Sequence, residues 1–304
     1  LKRKRGALYY LKRDFWLYLC VLPVILYYFI FKYLPMAGIV MAFQDYNIFK
    51  GILGSEFVGM ENFLKIFKNQ QFWNSIRNTL ALNLATLAVS FPLTIMLALM
   101  LNELRAVKFK RVSQSLLYLP HFISWVVVAG IAQNLFNMSN GTVNKMLEGI
   151  GVGPIPFLSN NAWWVFTYIL CNIWKEIGWG TIIYLAALTG VDESLYEAAY
   201  LDGATRLQRI RYITLPMIKS VAATMLILNV SKMMSIGLDA PLLLGNTKVM
   251  AISEVISTYV YRLGIEKAQY DLATAIGLFQ SLVNIVILVV VDRAAKLMGE
   301  EGIL

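Results

Sequence analysis

The stretch Ser194-Leu195-Tyr196-Glu197-Ala198-Ala199-Tyr200-Leu201-Asp202-Gly203, followed by Ile213-Thr214-Leu215-Pro216, is the most informative part of this chain. Ser194 is placed to cap a short helix whose third residue, Glu197, can close a capping box. Leu195, Ala198, Ala199 and Asp202 recur at helical spacing, so one face carries small side chains that allow close approach of another surface. Gly203 permits a sharp change of direction that a side chain would oppose. Pro216 suits the first turn of a following helix, where its missing N–H costs nothing. Together these residues predict a rigid knuckle that docks into a groove on a partner.

On either side of this knuckle the sequence is apolar. Of 304 residues 58% are hydrophobic and 15% charged, against about 45–50% and 25% in soluble domains. Six runs approach the length of about 20 residues needed to cross a bilayer: 15–34, 80–101, 116–136, 163–188, 217–236 and 273–291. Lys175, Glu176, Gly178 and Gly180 interrupt the fourth, which therefore reads as the least regular. The first run is long for a secretion signal and no small-x-small cleavage site follows it, so it reads as a retained span.

Basic residues set the orientation. Lys2, Arg3, Lys4, Arg5, Lys12 and Arg13 precede the first span, and Arg105, Lys108, Lys110 and Arg111 follow the second. Arg206, Arg209, Arg211 and Lys219 lie between the fourth and fifth, and Arg293 and Lys296 follow the sixth. The positive-inside rule then places both termini in the cytoplasm, as six alternating spans also require. The organisation expected is a cytoplasmic basic segment at 1–14, a six-span domain over 15–298 with the knuckle at 190–216 in the cytoplasm, and a cytoplasmic tail at 299–304. Trp73, Trp163, Trp164, Tyr259 and Tyr261 mark the outer interface. The first outer segment, 36–73, is too long for a turn and is expected to fold back along the surface. No repeat, low-complexity tract or soluble domain is evident.

The net charge of +9 is spent on these blocks and not on an aromatic-interleaved basic stripe, so nucleic acid is excluded as a partner. Cys20 and Cys171 lie inside apolar runs and build neither a disulfide framework nor a metal site. The single histidine, His121, reads as a helix-end or packing residue, since a zinc site needs three or four protein ligands.

The arrangement Glu-Ala-Ala-x3-Gly-x9-Ile-x-Leu-Pro, complete at 197–216, matches without a gap the EAA loop of binding-protein-dependent ABC permeases. Weaker stretches resemble the multi-sugar group of these permeases and its aldouronate-type branch for complex polysaccharide fragments. They are Lys32-Tyr33-Leu34-Pro35-Met36-Ala37-Gly38, Ala42-Phe43-Gln44-Asp45-Tyr46 with Phe57-Val58-Gly59, Val255 to Arg262, Ala275 to Ser281, and Gly299-Glu300-Glu301-Gly302. The resemblance implies an all-α membrane protein with the six-helix type I importer fold, in a bacterial plasma membrane. It implies a heterodimer with a second homologous permease, two cytoplasmic ATPases and an extracytoplasmic solute-binding protein. Glu197, Ala198, Ala199 and Gly203, with Leu195, Asp202 and Pro216 around them, are then the ATPase-coupling residues. The sequence has no Gly-x4-Gly-Lys-Ser/Thr run to cradle phosphates. No catalytic residue or bound cofactor is therefore expected here, and ATP and magnesium belong to the partner ATPase.

Ionisable residues within spans mark candidate pathways, because exposing them to lipid is expensive. Lys175, Glu176 and Lys232 qualify, with Asn172, Trp174, Trp179, Asn229 and Ser235 nearby. Such a set offers hydrogen bonds for sugar hydroxyls and aromatic faces for ring C–H surfaces, and lysines could hold a uronate carboxylate. The plainer alternative is that Lys175 and Glu176, which as sequence neighbours do not share a helix face, are structural pairs. Other cargo within the importer class is a non-sugar small solute. An ion-driven secondary transporter would show inverted repeats and paired broken helices; only the fourth span looks broken, and no halves match. A non-transporting scaffold would have little use for an intact knuckle.

Overall fold

The computed structural model describes residues 13–104 and 106–297. The basic residues Lys2, Arg3, Lys4, Arg5, Lys12 and Arg105 and the tail at 299–304 lie outside them. Among the described residues the regular structure is helical apart from one two-stranded ribbon. Three helical stretches are long and apolar enough to cross a bilayer: Phe15–Phe43, Gln70–Asn102 and Tyr270–Leu297. Two more arise if bent pairs count as one span each, Val107–Phe122 with Trp125–Phe136 at 99° and Arg206–Met217 with Lys219–Ser231 at 60°.

One compact unit is Leu1–Ile66 with Leu263–Leu278. Its helix α1, Phe15–Tyr28, buries none of its side chains, as an apolar helix with lipid for solvent can do. The 36–73 segment contains a 3-10 helix, Ala37–Phe43, and strands β1 (Gln44–Asp45) and β2 (Glu56–Phe57), paired antiparallel. Asn62, fully buried on α2 (Glu61–Lys68), donates its side-chain amide to the carbonyls of Ala42 at 3.1 Å and Gln44 at 2.8 Å. That clamp fixes how the chain leaves the 3-10 helix.

The second unit is Phe67–Arg262 with Phe279–Leu304. Its spine pairs α3 (Gln70–Asn102) with α7 (Asn161–Thr189); α4 (Val107–Tyr118), α5 (Trp125–Phe136) and α9 (Lys219–Ser231) pack against the pair, α6 (Thr142–Gly149) packs against α5, and α8 (Glu193–Leu201) follows α7 in the chain. At one end of the spine Trp164, fully buried, stacks on Tyr168 and donates its indole N–H to the Leu244 carbonyl at 2.9 Å. At the other end Ala98, Leu101, Tyr184, Leu185, Leu188 and Ile218 form a second apolar cluster.

Three expectations about the spans are corrected here. The fourth is not broken: α7 runs unbroken through Lys175, Glu176, Gly178 and Gly180. Its glycines serve approach instead, since a Cβ on Gly178 would lie 1.9 Å from the Leu117 carbonyl oxygen and one on Gly180 3.1 Å from Thr94 Cγ2. The third run, 116–136, is two elements. Pro120 supplies no N–H, the chain tightens into a 3-10 turn at Leu119–Phe122, Ile123 extends, and the Ser124 hydroxyl caps α5 by accepting the Val127 N–H. The fifth run, 217–236, bends at Ile218 and its helix ends at Ser231. The freed backbone beyond it is met by side-chain amides: Asn83 donates to the Met233 carbonyl and Gln280 to the Met234 carbonyl, each at 2.7 Å.

A Gly178→Ala substitution should cost at least the 1–3 kcal/mol typical of overpacking, estimated to order of magnitude, because the obstacle is backbone and not a mobile side-chain tip. Gly130→Ala, where nothing lies within 4 Å of the added carbon, should be neutral or slightly stabilising. Thermal unfolding of the two variants in detergent checks the contrast.

Candidate functional site

The knuckle is built from its ends inward. Helix α8 starts from Asp192, whose carboxylate accepts the Ser194 N–H at 2.9 Å. The expected cap, Ser194, is instead the second helical residue, because a charged acceptor two residues upstream takes the orphan donor. The same hydrogen bond holds the Asp192 carboxyl below its ordinary range. At the far end the Gly203 N–H donates to the Tyr200 carbonyl at 3.1 Å and the Ala204 N–H to the Ala199 carbonyl at 2.9 Å, a Schellman closure. Gly203 takes φ +74°, with nothing within 4 Å of where its Cβ would stand. Glycine is needed there for conformation, not for space.

No side chain of α8 is buried. Leu195, Glu197, Ala198 and Asp202 are exposed, Ala199 is half-buried, and Leu201 is 85% exposed. An open cavity of about 440 Å³ lies between Tyr196, Glu197, Tyr200, Leu201 and Arg209. Beyond the turn, Thr205 and Gln208 form a reciprocal capping box that starts the helical stretch Arg206–Met217. Pro216 therefore stands near the end of that stretch, after a π turn at Ile210–Thr214 and just before the bend at Ile218, and not in the first turn of a span. The Tyr196 hydroxyl lies 3.1 Å from Thr214 Oγ1, so α8 is tied to the π turn that precedes the bend.

A second feature is a cavity of about 310 Å³ between α3, α7 and α9. Four of the residues expected on a pathway line it: Asn172, Glu176, Trp179 and Asn229. The others do not. Trp174 borders an apolar groove with Ile131, Leu135, Leu170 and Cys171. Lys232 ends α9 as its C-cap residue. Ser235 accepts a hydrogen bond from Asn284 at 2.9 Å. Lys175 is 6% exposed and donates to the His121 carbonyl at 2.5 Å, with Glu176 Oε1 3.6 Å away and the Trp125 ring beneath it.

Sequence reasoning missed part of this wall. Thr86, Ser90 and Thr94 line it from α3, and their four-residue spacing within an apolar run is a polar stripe that a periodicity count would find. The Thr86 hydroxyl oxygen is buried and has no partner among the described residues. His121, set aside as a packing residue, lies 2.8 Å from Glu176 Oε2 through Nδ1 and stacks flat on Trp179 at 4.4 Å. No local signal announces that contact, which joins residues 55 apart in sequence.

Residues 90–299 match the family described as binding-protein-dependent transport system inner membrane component. The chain is 45% identical over 302 residues to the polygalacturonan/rhamnogalacturonan transport system permease protein YteP of Bacillus subtilis (strain 168), covering 99% of this chain and 94% of that one. It is 42% identical to Protein LplB of the same organism, covering 96% and 92%. Its structure is similar, with a TM-score of 0.89 and 39% identity over 98% of this chain and 100% of the other, to a bacterial alginate ABC transporter crystallised with its alginate pentasaccharide-bound periplasmic protein. A further crystal structure, of a bacterial ABC transporter that imports the acidic polysaccharide alginate, gives a TM-score of 0.86 at 40% identity, covering 94% and 96%. With the exposed knuckle and the cavity beside it, these similarities establish that the chain belongs to the binding-protein-dependent inner membrane components, and that it is a membrane-embedded permease of an ABC importer.

Proposed function

We propose that this permease translocates acidic oligosaccharides, received from an extracytoplasmic binding protein, across a bacterial plasma membrane. Polygalacturonan and alginate, for which a relative and a structural neighbour are named, are both uronate polymers. The cavity suits such cargo in kind: hydroxyls on Thr86, Ser90 and Thr94, amides on Asn172 and Asn229, and the indole of Trp179. A pocket that fixes orientation through a few polar groups on an otherwise apolar wall is the usual ligand-site pattern.

The reading counts six spans, with each bent pair taken as one and α7 added, and puts both termini and the knuckle in the cytoplasm. A second permease completes the pore. Two ATPases hold ATP and magnesium and receive α8, with Leu195, Glu197, Ala198, Ala199, Asp202 and Gly203 at the contact and Pro216 behind it. This chain supplies no catalytic residue. The observation that carries the proposal is the helix α8 itself, closed at both ends, with no buried side chain and bonded through Tyr196 to the π turn that precedes the bend at the start of α9. Force applied to a helix closed in this way moves it as a body and reaches the membrane part through that bend.

Gly203→Val forces a β-branched residue into left-handed backbone, and should abolish oligosaccharide uptake while membrane levels stay normal. Gly203→Asn, which tolerates that conformation, should retain uptake; full transport by the valine variant would remove the coupling assignment. Tagged purification from native membranes, with mass spectrometry of the co-purifying chains, should recover a second permease and an ATPase with a phosphate-binding loop. The cognate binding protein should carry an acidic oligosaccharide. A chain that purifies alone in several mild detergents would point instead to ion-driven transport.

A further inference from the structure

Among the described residues that line the cavity, Glu176 is the one carboxylate; the other polar lining groups are hydroxyls, amides and the Trp179 indole. A bare carboxylate there, its side chain 46% exposed, opposes a uronate, because like charges brought together repel. The structure shows how that charge is covered. His121 Nδ1 stands 2.8 Å from Glu176 Oε2, and an ionised carboxylate only accepts, so the imidazole donates. Lys175 lies behind, its ammonium 3.6 Å from Glu176 Oε1 and hydrogen-bonded to the carbonyl of His121 itself. The histidine ring lies 5° from parallel to Trp179, so one side chain orients two cavity-wall groups. The close approach at Gly178 brings the 119–122 turn near enough to α7 for this contact.

We propose that His121 is a positioning residue that masks the Glu176 carboxylate, and that this masking sets the tolerance of the cavity for acidic cargo. The inference rests on the uronate reading given under Proposed function. Lys175 contributes to the same mask, but its burial makes its removal a poor test, since a variant would endanger folding.

The test uses the complete importer, with partner permease, ATPases and binding protein, in proteoliposomes, and galacturonate trisaccharide as the probe. His121→Phe keeps a ring against Trp179 and removes the donor. It should raise KM by about tenfold, the scale of one unmasked like charge, with the number of ATP hydrolysed per sugar at saturation unchanged. Glu176→Gln should lower KM, and the double variant H121F/E176Q should return to the wild-type value or below. Added salt should reduce KM more for H121F than for the wild type, since screening acts most on a charge that no donor covers. An unchanged KM in H121F, or a defect that Glu176→Gln fails to relieve, overturns the masking. If Asn172→Ala and Trp179→Ala also leave KM unchanged, the cavity assignment falls with it. If those two raise KM while the double variant stays impaired, the cavity stands and the masking alone is wrong.

Discussion

A backbone N–H or C=O that leaves a helix inside a bilayer must find its partner within the protein. Much of the polar chemistry in this chain answers that demand. Two helical stretches are bent, and side chains meet backbone groups at the first bend and past the end of α9. Lys175 takes the His121 carbonyl at the first break. Beyond the end of α9, Asn83 and Gln280 take the carbonyls of Met233 and Met234, and Asn284 accepts the Met234 N–H. Helix α7 has no break and can therefore act as the straight member against which the bent ones are held. Gly178 lets α4 come to backbone distance, and Gly180 leaves room for the Thr94 methyl of α3.

The knuckle solves the opposite problem. Its helix is short and exposed, where few tertiary contacts would hold it, and an isolated helix of such length is marginal in water. Closure at both ends compensates: a carboxylate cap at Asp192, a Schellman turn at Gly203, and a reciprocal capping box just beyond at Thr205 and Gln208. Local rigidity leaves the outer face free for a partner. The hydroxyl contact between Tyr196 and Thr214 ties the helix to the π turn that follows it.

Much of this was legible in the sequence, for identifiable reasons. Apolar runs and basic blocks report on transfer energies, which are additive along a chain, so the spans at 15–34, 80–101 and 273–291 fall within observed helices. The need for left-handed backbone at Gly203 followed from a local pattern. What failed was long-range or competitive. Ser194 is a good cap, but Asp192 is a better one two residues earlier. Gly178 and Gly180 looked like interruptions because the carbonyl of Leu117 and the methyl of Thr94 that they accommodate come from distant segments. His121 carried no signal at all, since its partners Glu176 and Trp179 lie on a helix that only folding brings near.

The middle turns of α7 divide their residues between two environments. Asn172, Glu176 and Trp179 stand toward the cavity, whereas Leu170, Cys171 and Trp174 border the apolar groove. Because the two sets alternate along a single rigid helix, a replacement in one leaves the other's surroundings in place. The two faces of α7 are thus separable: substitution on the cavity side changes one surface of the helix while the side chains of the apolar side stay as they are.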